Sequence, residues 1–486
     1  MWQIERATMR YKFKFQPYAH QLEALKNSWD KEEFALFMDM GTGKSKVLID
    51  NISILYDQGK IEGALIVAPK GVYRNWERAE LPTHLPEHII SDIVLWNPSQ
   101  TKTQMQKQET LFHVSDNLKI FLMNIEAFST KKGYEIAQKF LTYTTCCMAI
   151  DESTTIKSKD ARRTKSIIKL GKLARYRRIL TGSPVTKSPM DLYTQCEFLS
   201  PFILGHSSFY SFQNHFAIMQ RRNVGSHSFN HVLGYRNLSE LTDKLKPYSY
   251  RILKEDCLDL PDKVYTKRVV ELTDEQKKVY ESIQKYALAL IDDGSVTPST
   301  VLTQILRLQQ ICSGHVRLDD GELKRFKSNK LTELGDVLQE VSGKVIIWAN
   351  FTQDIYTIVE FLERTYGPDT VVSYFGETPS EERQEIVEQF QNLESKVKYF
   401  VGQPRTGGYG LTLTSAKTVI YYSNGYDLEI RMQSEDRAHR ISQVNKVTYI
   451  DIVTEKTVDE KILKALRKKI NISSQVLAEN YKQWII

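Results

Sequence analysis

The chain is poor in the features that would assign it to several common protein classes. Its 486 residues include only five cysteines, namely Cys146, Cys147, Cys196, Cys257 and Cys312. No two form a C-x-x-C pair, and the odd number argues against a disulfide framework or a zinc site; buried reduced thiols are expected. No apolar run approaches the length of a membrane span. The N-terminus Met1-Trp2-Gln3-Ile4-Glu5-Arg6 lacks the apolar stretch of a secretory signal, so a cytoplasmic protein is expected, or a nuclear one in a eukaryote. Charge is nearly balanced, with 66 basic and 59 acidic residues giving +7. Such a mild excess permits local patches for nucleic acid but does not argue for them. Internal repeats and low-complexity tracts are absent. So is an interleaved aromatic platform of the kind that stacks a single strand.

What is present is a globular composition, 41% hydrophobic and 26% charged, over a length suited to two or three domains. Short apolar runs alternate with amphipathic stretches. Strands are expected at 64–68, 147–150, 178–180, 345–349, 371–374, 399–401, 418–422 and 448–452. Most are too apolar to alternate, as suits parallel strands covered on both faces. They fall in two clusters with a different texture between them. Thr273-Asp274-Glu275-Gln276 is a capping-box sequence opening a helix, 303–311 reads as a second helix, and 221–234 reads as a polar loop. The expected class is α/β, two lobes of parallel sheet flanked by helices, with helical insertions between them.

Chemistry concentrates at three places. Met40-Gly41-Thr42-Gly43-Lys44-Ser45 is a glycine-rich turn ending in Gly-Lys-Ser. Its glycines let backbone N–H groups approach phosphate, the following helix offers its N-terminus, Lys44 reaches the outer phosphates and the Ser45 hydroxyl binds Mg²⁺. The further glycine of the full pattern is replaced by Met38. Far downstream, Asp151-Glu152 closes an apolar strand. Two acids there are costly without a cation or water to address. Asp151 is expected to hold Mg²⁺, and Glu152 to polarise the attacking water as general base. Arg437 and Arg440, three apart on one helical face, are candidate arginine fingers from the second lobe. The three together suggest an ATP-driven motor rather than a static nucleotide binder.

Taken in order, these segments resemble the Swi/Snf-type ATPases of helicase superfamily 2. Pro17-Tyr18-Ala19-His20-Gln21 resembles the Q motif, in which Gln21 would read adenine. Met38–Ser45 resembles motif I, with Gly41, Thr42, Gly43, Lys44 and Ser45 at the nucleotide. Leu65–Lys70 resembles motif Ia and is followed by the family-like Arg74-Asn75-Trp76-Glu77. Met123-Asn124 falls at motif Ib, Asp151–Lys157 at motif II and Leu180–Val185 at motif III. In the second lobe Val345–Phe351 resembles motif IV, and Tyr374–Thr378 with Glu382-Arg383-Gln384 the next block. Thr406–Ala416 resembles motif V, with Gly410 at the nucleotide, and Gln433–Gln443 resembles motif VI. Thr154, Thr412, Tyr426-Asp427-Leu428 and Arg251-Ile252-Leu253-Lys254 depart from the usual family residues.

The resemblance implies two RecA-like lobes. Residues 1–200 would form lobe 1, 201–255 its helical insertion, 256–330 a linker and helical insertion of lobe 2, 331–470 lobe 2, and 471–486 a C-terminal helix. It implies ATP and Mg²⁺ as cofactors and duplex DNA as sequence-independent partner. Lys70, Asn124, Thr181 and Ser183 on lobe 1, and Gly376, Arg405 and Thr412 on lobe 2, would touch the DNA backbone. Without appended chromatin-reading modules the chain resembles compact bacterial and phage versions, with repair or recombination as possible settings. An ATP-dependent translocase on duplex DNA is expected. The alternatives are a strand-separating or annealing helicase at forks, and an ATP-gated DNA clamp that recruits a partner.

Overall fold

The computed structural model describes residues 11–466, apart from positions 71, 100, 187, 225–226, 259, 293–297, 318–320, 380–381, 408–410, 426, 441–442 and 465. The expected helix at 471–486 therefore lies outside the described residues. The chain divides into two compact units, the first running through Leu258 and the second from Asp259 to Lys468.

Unit 1 is built on β1 (Glu33–Met38), β2 (Gly63–Ala68), β3 (Ser91–Leu95), β4 (Leu118–Asn124), β5 (Cys146–Asp151) and β6 (Tyr176–Leu180). A ribbon of β7 (Ala217–Val224) and β8 (His227–Tyr235) follows, and then β9 (Ser249–Ile252). The main sheet runs β3-β4-β2-β5-β6-β1-β9, and every pairing in it is parallel. Parallel strands need crossovers, and the crossover helices bury both sheet faces; hence β2 and β5 are buried along their whole length. The turns that leave the carboxyl ends of β1, β5 and β6 carry the segments resembling motifs I, II and III, where open α/β sheets place their ligands.

One buried arginine locks this frame. Arg178 of β6 is fully enclosed. Its Nε donates to Asn51 Oδ1 at 2.9 Å, Nη1 to the carbonyls of Glu32 and Arg177 at 3.1 and 2.9 Å, and Nη2 to those of Ser28 and Lys31 at 2.8 and 2.7 Å. Every N–H of the guanidinium thus has an acceptor, which is what makes burying it tolerable. The helix that carries Gln21 (Ala19–Ser28), the helix of the glycine-rich turn (Lys44–Asp57) and the strand leading to Thr181 are joined through this side chain.

Unit 2 contains β10 (Lys263–Val270), the hairpin β11 (His315–Arg317) and β12 (Leu323–Arg325), then β13 (Lys344–Trp348), β14 (Val371–Tyr374), β15 (Tyr399–Gly402), β16 (Ala416–Tyr421) and β17 (Val447–Thr454). Its main sheet runs β10-β17-β16-β13-β15-β14, again parallel throughout. β13 shows why the run reads as continuously apolar. Val345 and Ile347 enter one core with Val401 and Ile420, while Ile346 and Trp348 enter the other with Phe400 and Val419.

The expected capping box forms. Thr273 N–H donates to Gln276 Oε1 at 3.1 Å, and Gln276 N–H to Thr273 Oγ1 at 3.4 Å, opening a helix at Asp274. The loop expected at 221–234 is corrected: β7 and β8 pair antiparallel there, with Val224 opposite His227. Among the described residues these two strands pair only with each other, outside the main sheet whose strands read as apolar runs. The stretch from 201 to 255 accordingly holds this ribbon and β9 as well as short helices at Phe209–Phe216 and Leu238–Leu245. Among the described residues no helix is long and apolar enough to cross a membrane.

Candidate nucleotide and nucleic-acid site

The glycine-rich turn leaves β1 at Met38 and enters the helix Lys44–Asp57. Gly41 and Gly43 take left-handed backbone, φ 77 and 89, the region that favours glycine. A Cβ at Gly43 would also press on the Gln21 amide, which would have to shift from the loop. No side chain caps this helix, so its first-turn N–H groups are left to a ligand, as in phosphate-binding turns. Thr42 Oγ1 donates to the Asp39 carbonyl at 2.7 Å. Lys44 Nζ folds back to the carbonyls of Met38 and Asp39 at 3.0 and 3.2 Å, and the neighbouring Ser45 is half-buried.

Gln21 is buried against this turn. Its Nε2 donates to the Thr42 carbonyl at 3.0 Å and its Oε1 accepts from Tyr18 N–H at 3.0 Å. The His20 ring nitrogen also lies 2.8 Å from the Thr42 carbonyl. In this structure the residue expected to read adenine braces the phosphate loop.

Asp151 ends β5. Its Oδ2 accepts from Trp76 Nε1–H at 3.0 Å and its Oδ1 from Glu152 N–H at 3.0 Å. Burial pushes the carboxyl above its ordinary value, while the Trp76 hydrogen bond, the Lys44 charge and the Glu152 amide pull the other way. A carboxylate held desolvated at a strand end suits a cation. No group of three or more His, Cys, Asp or Glu gathers as a metal site among the described residues. Asp151 and Ser45 are the residues that would hold a Mg²⁺, an ion commonly bound by one or two carboxylates together with phosphate and water. Glu152 takes left-handed backbone, φ 52 and ψ 61, a strained setting for a side chain with a Cβ and one found at functional sites.

The two turns that follow are tied together. Ser153 Oγ donates to Gln195 Oε1 at 2.7 Å, and Gln195 Nε2 donates to the carbonyls of Pro184 and Asp191 at 2.8 and 2.7 Å. Lys157 Nζ reaches Thr186 Oγ1 at 2.5 Å. Arg251 Nη1 donates to the carbonyls of Phe37 and Gly182, both at 2.9 Å, and burial draws its pKa down to about 10 against the pull of Asp39 and Asp256. The acid pair, the turn after β6 and the end of β1 are therefore one hydrogen-bonded block.

Sequence reasoning gave no role to Trp76 or Gln195. Gln195 left a signal, a buried amide in the apolar run Leu192–Leu199. Trp76 stands in the family-like Arg74-Asn75-Trp76-Glu77, but only the fold brings it to Asp151. Trp76→Phe is expected to raise the Mg²⁺ concentration needed for half-maximal ATP turnover by roughly 10–100-fold, the usual cost of losing a residue that orients a metal ligand. A Mg²⁺ titration of the ATPase rate checks it.

The remaining candidates lie at strand ends. Lys70 is exposed just past β2. Asn124 ends the adjacent β4 opposite Ala68, with Nδ2 on Glu126 Oε2 at 2.8 Å. Thr181 is buried, its Oγ1 accepting from the N–H of the half-buried Ser183 at 3.2 Å, so this hydroxyl lies beneath the surface expected to meet DNA. In unit 2, Gly376 and Arg405 are exposed just past the adjacent strands β14 and β15.

Thr412 is half-buried, and its Oγ1 accepts from Arg440 Nη1 at 2.9 Å. Arg440 also donates to the Leu411 carbonyl at 3.0 Å. Arg437 is buried and donates to the carbonyls of Gln433 and Leu411 at 2.9 and 3.1 Å. Of the two finger candidates, then, Arg437 holds the chain and the half-exposed Arg440 is the one open to solvent. Gly410 lies outside the described residues.

Comparison with known proteins finds two family models in tandem. The SNF2-related domain matches residues 20–316 and the helicase conserved C-terminal domain matches residues 327–442. A putative ATP-dependent helicase/translocase, YwqA of Bacillus subtilis (strain 168), is 26% identical over 460 residues, covering 91% of this chain and 46% of the relative. The SWI/SNF chromatin-remodeling complex subunit snf22 of Schizosaccharomyces pombe is 27% identical over 459 residues, covering 90% of this chain and 26% of the relative. The chain thus spans less than half the length of these curated relatives. A solved Sulfolobus solfataricus SWI2/SNF2 ATPase core in complex with dsDNA is 24% identical with TM-score 0.43, covering 98% of each chain.

Proposed function

The chain belongs to the SNF2-related family, and from that premise we propose that it is an ATP-dependent translocase on duplex DNA. One observation carries the coupling. The buried Gln195 joins Ser153, beside the acid pair, to Pro184 in the turn after β6. That link would carry a change at the nucleotide to a turn at the carboxyl end of the sheet, where Lys70 and Asn124 also lie.

ATP with Mg²⁺ supplies a phosphoryl group whose transfer needs positioning and charge neutralisation rather than covalent help. The turn Gly41–Ser45 is proposed to bind the phosphates, Lys44 to turn from the Met38 and Asp39 carbonyls onto them, and Ser45 and Asp151 to hold the metal. Glu152 orients the attacking water and takes its proton. Arg440 of unit 2 neutralises charge as the phosphoryl group moves. Lys70, Asn124 and Ser183 with Gly376 and Arg405 are proposed to grip phosphates, which positions a protein without reading sequence.

A triplex-displacement assay beside a labelled-fork assay tests this reading. With ATP the protein is expected to strip a third strand while leaving the fork paired. Unwinding of the fork would point to a strand-separating helicase, and slow single-round turnover without strand displacement to an ATP-gated clamp.

A further inference from the structure

Unit 2 begins at Asp259, and its first described side chains and carbonyls are tied to the segment that carries Arg437 and Arg440. The Pro261 carbonyl lies 2.8 Å from His439 Nε2. Lys263 Nζ lies 3.3 Å from Glu435 Oε2 and 3.5 Å from Asp436 Oδ1. Tyr265 donates its hydroxyl to Glu435 Oε2 at 2.7 Å, and its ring stacks on Tyr449 with centroids 5.3 Å apart.

The other oxygen of Glu435 accepts from Arg431 Nε at 2.8 Å. Arg431 is in turn fixed by both Asp451 oxygens, at 2.5 and 3.0 Å, and sits 3.4 Å from the centroid of the Tyr421 ring. The segment from Glu435 to Arg440 is therefore held at two places. Lys263 and Tyr265 grip its start, and Arg437 and Arg440 grip the Leu411 carbonyl from its end. Glu435, Asp436, Arg437 and His439 are all buried. Packed groups so extensively bonded shift together rather than singly.

Lys263 and Tyr265 stand only a few residues into unit 2, where the chain has just arrived from unit 1. We propose that they are positioning residues, passing the setting of this inter-unit connector to Arg440 through Glu435 and Asp436. The inference rests on Arg440 acting at the transferred phosphoryl group. A purely architectural alternative is that they only pin β10, an edge strand, to the sheet.

Steady-state ATPase with saturating duplex DNA separates the two. Lys263→Met is expected to lower kcat by up to roughly 10²-fold, the loss that about an ångström of misplacement brings, with KM for ATP unchanged. Lys263→Arg restores the rate, and Tyr265→Phe, which removes one hydrogen bond without uncovering a charge, lowers kcat less. In an Arg440→Ala background Lys263→Met has no further effect, because its consequence runs through Arg440. Wild-type kcat in Tyr265→Phe and Lys263→Met, or losses that multiply with Arg440→Ala, overturns the coupling while leaving the finger intact. Normal turnover in Arg440→Ala alone removes the finger and the coupling with it. Should Lys263→Met fail to fold, Tyr265→Phe and its double variant with Arg440→Ala decide the matter.

Discussion

Arg440→Ala is expected to bind ATP normally and hydrolyse it roughly 10³–10⁵-fold more slowly, the span that an arginine finger contributes by neutralising charge on the moving phosphoryl group. The choice of Arg440 over Arg437 is structural. Arg437 is enclosed, with Nε on the Gln433 carbonyl and Nη1 on the Leu411 carbonyl. Removing it takes the side-chain donor from the Gln433 carbonyl and one of two from the Leu411 carbonyl, so Arg437→Ala is expected to lose stability as well as any chemistry of its own. Arg440 is half-exposed and shares Nη1 between the Leu411 carbonyl and the Thr412 hydroxyl. Arg440→Lys keeps the charge and loses the fork, so it should recover only part of the rate. Nucleotide binding measured separately from turnover is the necessary control. A variant that loses both has lost the loop at Leu411 and Thr412, not a finger.

Glu152→Gln gives the second large effect. The amide keeps the shape of the side chain but cannot accept a proton, and turnover should fall by roughly 10²–10⁴-fold. ATP should still bind, because the cradle Gly41–Ser45 and the Asp151 carboxylate are untouched. The substitution is also conformationally fair: glutamine meets the same left-handed backbone at φ 52 that glutamate does, so no strain is added or released. Rapid-quench measurement of the chemical step, beside equilibrium binding of ATP, reads the two quantities apart. If Glu152→Gln kept a wild-type chemical step, the assignment of the general base would fall.

Much of this architecture was legible because buried parallel strands are written as unbroken apolar runs. Cys147–Ile150 and Val345–Ala349 could be placed for that reason; the first lies within β5, and the second overlaps β13 as far as Trp348. The mark is uneven: the edge strand β14 is expected at 371–374, the interior strands β1 and β4 are not, and other edge strands escape too. β10 reads Lys-Val-Tyr-Thr-Lys-Arg-Val-Val and is mostly exposed because it pairs on one side only, so its residues passed for linker. β9, at the edge of the other sheet, was hidden the same way. Asp151, Glu152 and Lys44 were legible from local chemistry, being acids and a lysine where a chain of this kind has no other use for them. Trp76 and Gln195 were not, since their partners lie 75 and 42 positions away in sequence and only strand order brings them together. Arg178 reads as a strand residue and no more, because nothing local announces that four carbonyls and an amide converge on it.

The most direct test of DNA-coupled hydrolysis is the rate of ATP turnover measured with no nucleic acid and with saturating duplex DNA, single-stranded DNA, fork DNA and RNA. Duplex DNA is predicted to raise kcat well above the rate without nucleic acid and more than single strands or RNA do. Equal turnover under all five conditions would contradict it.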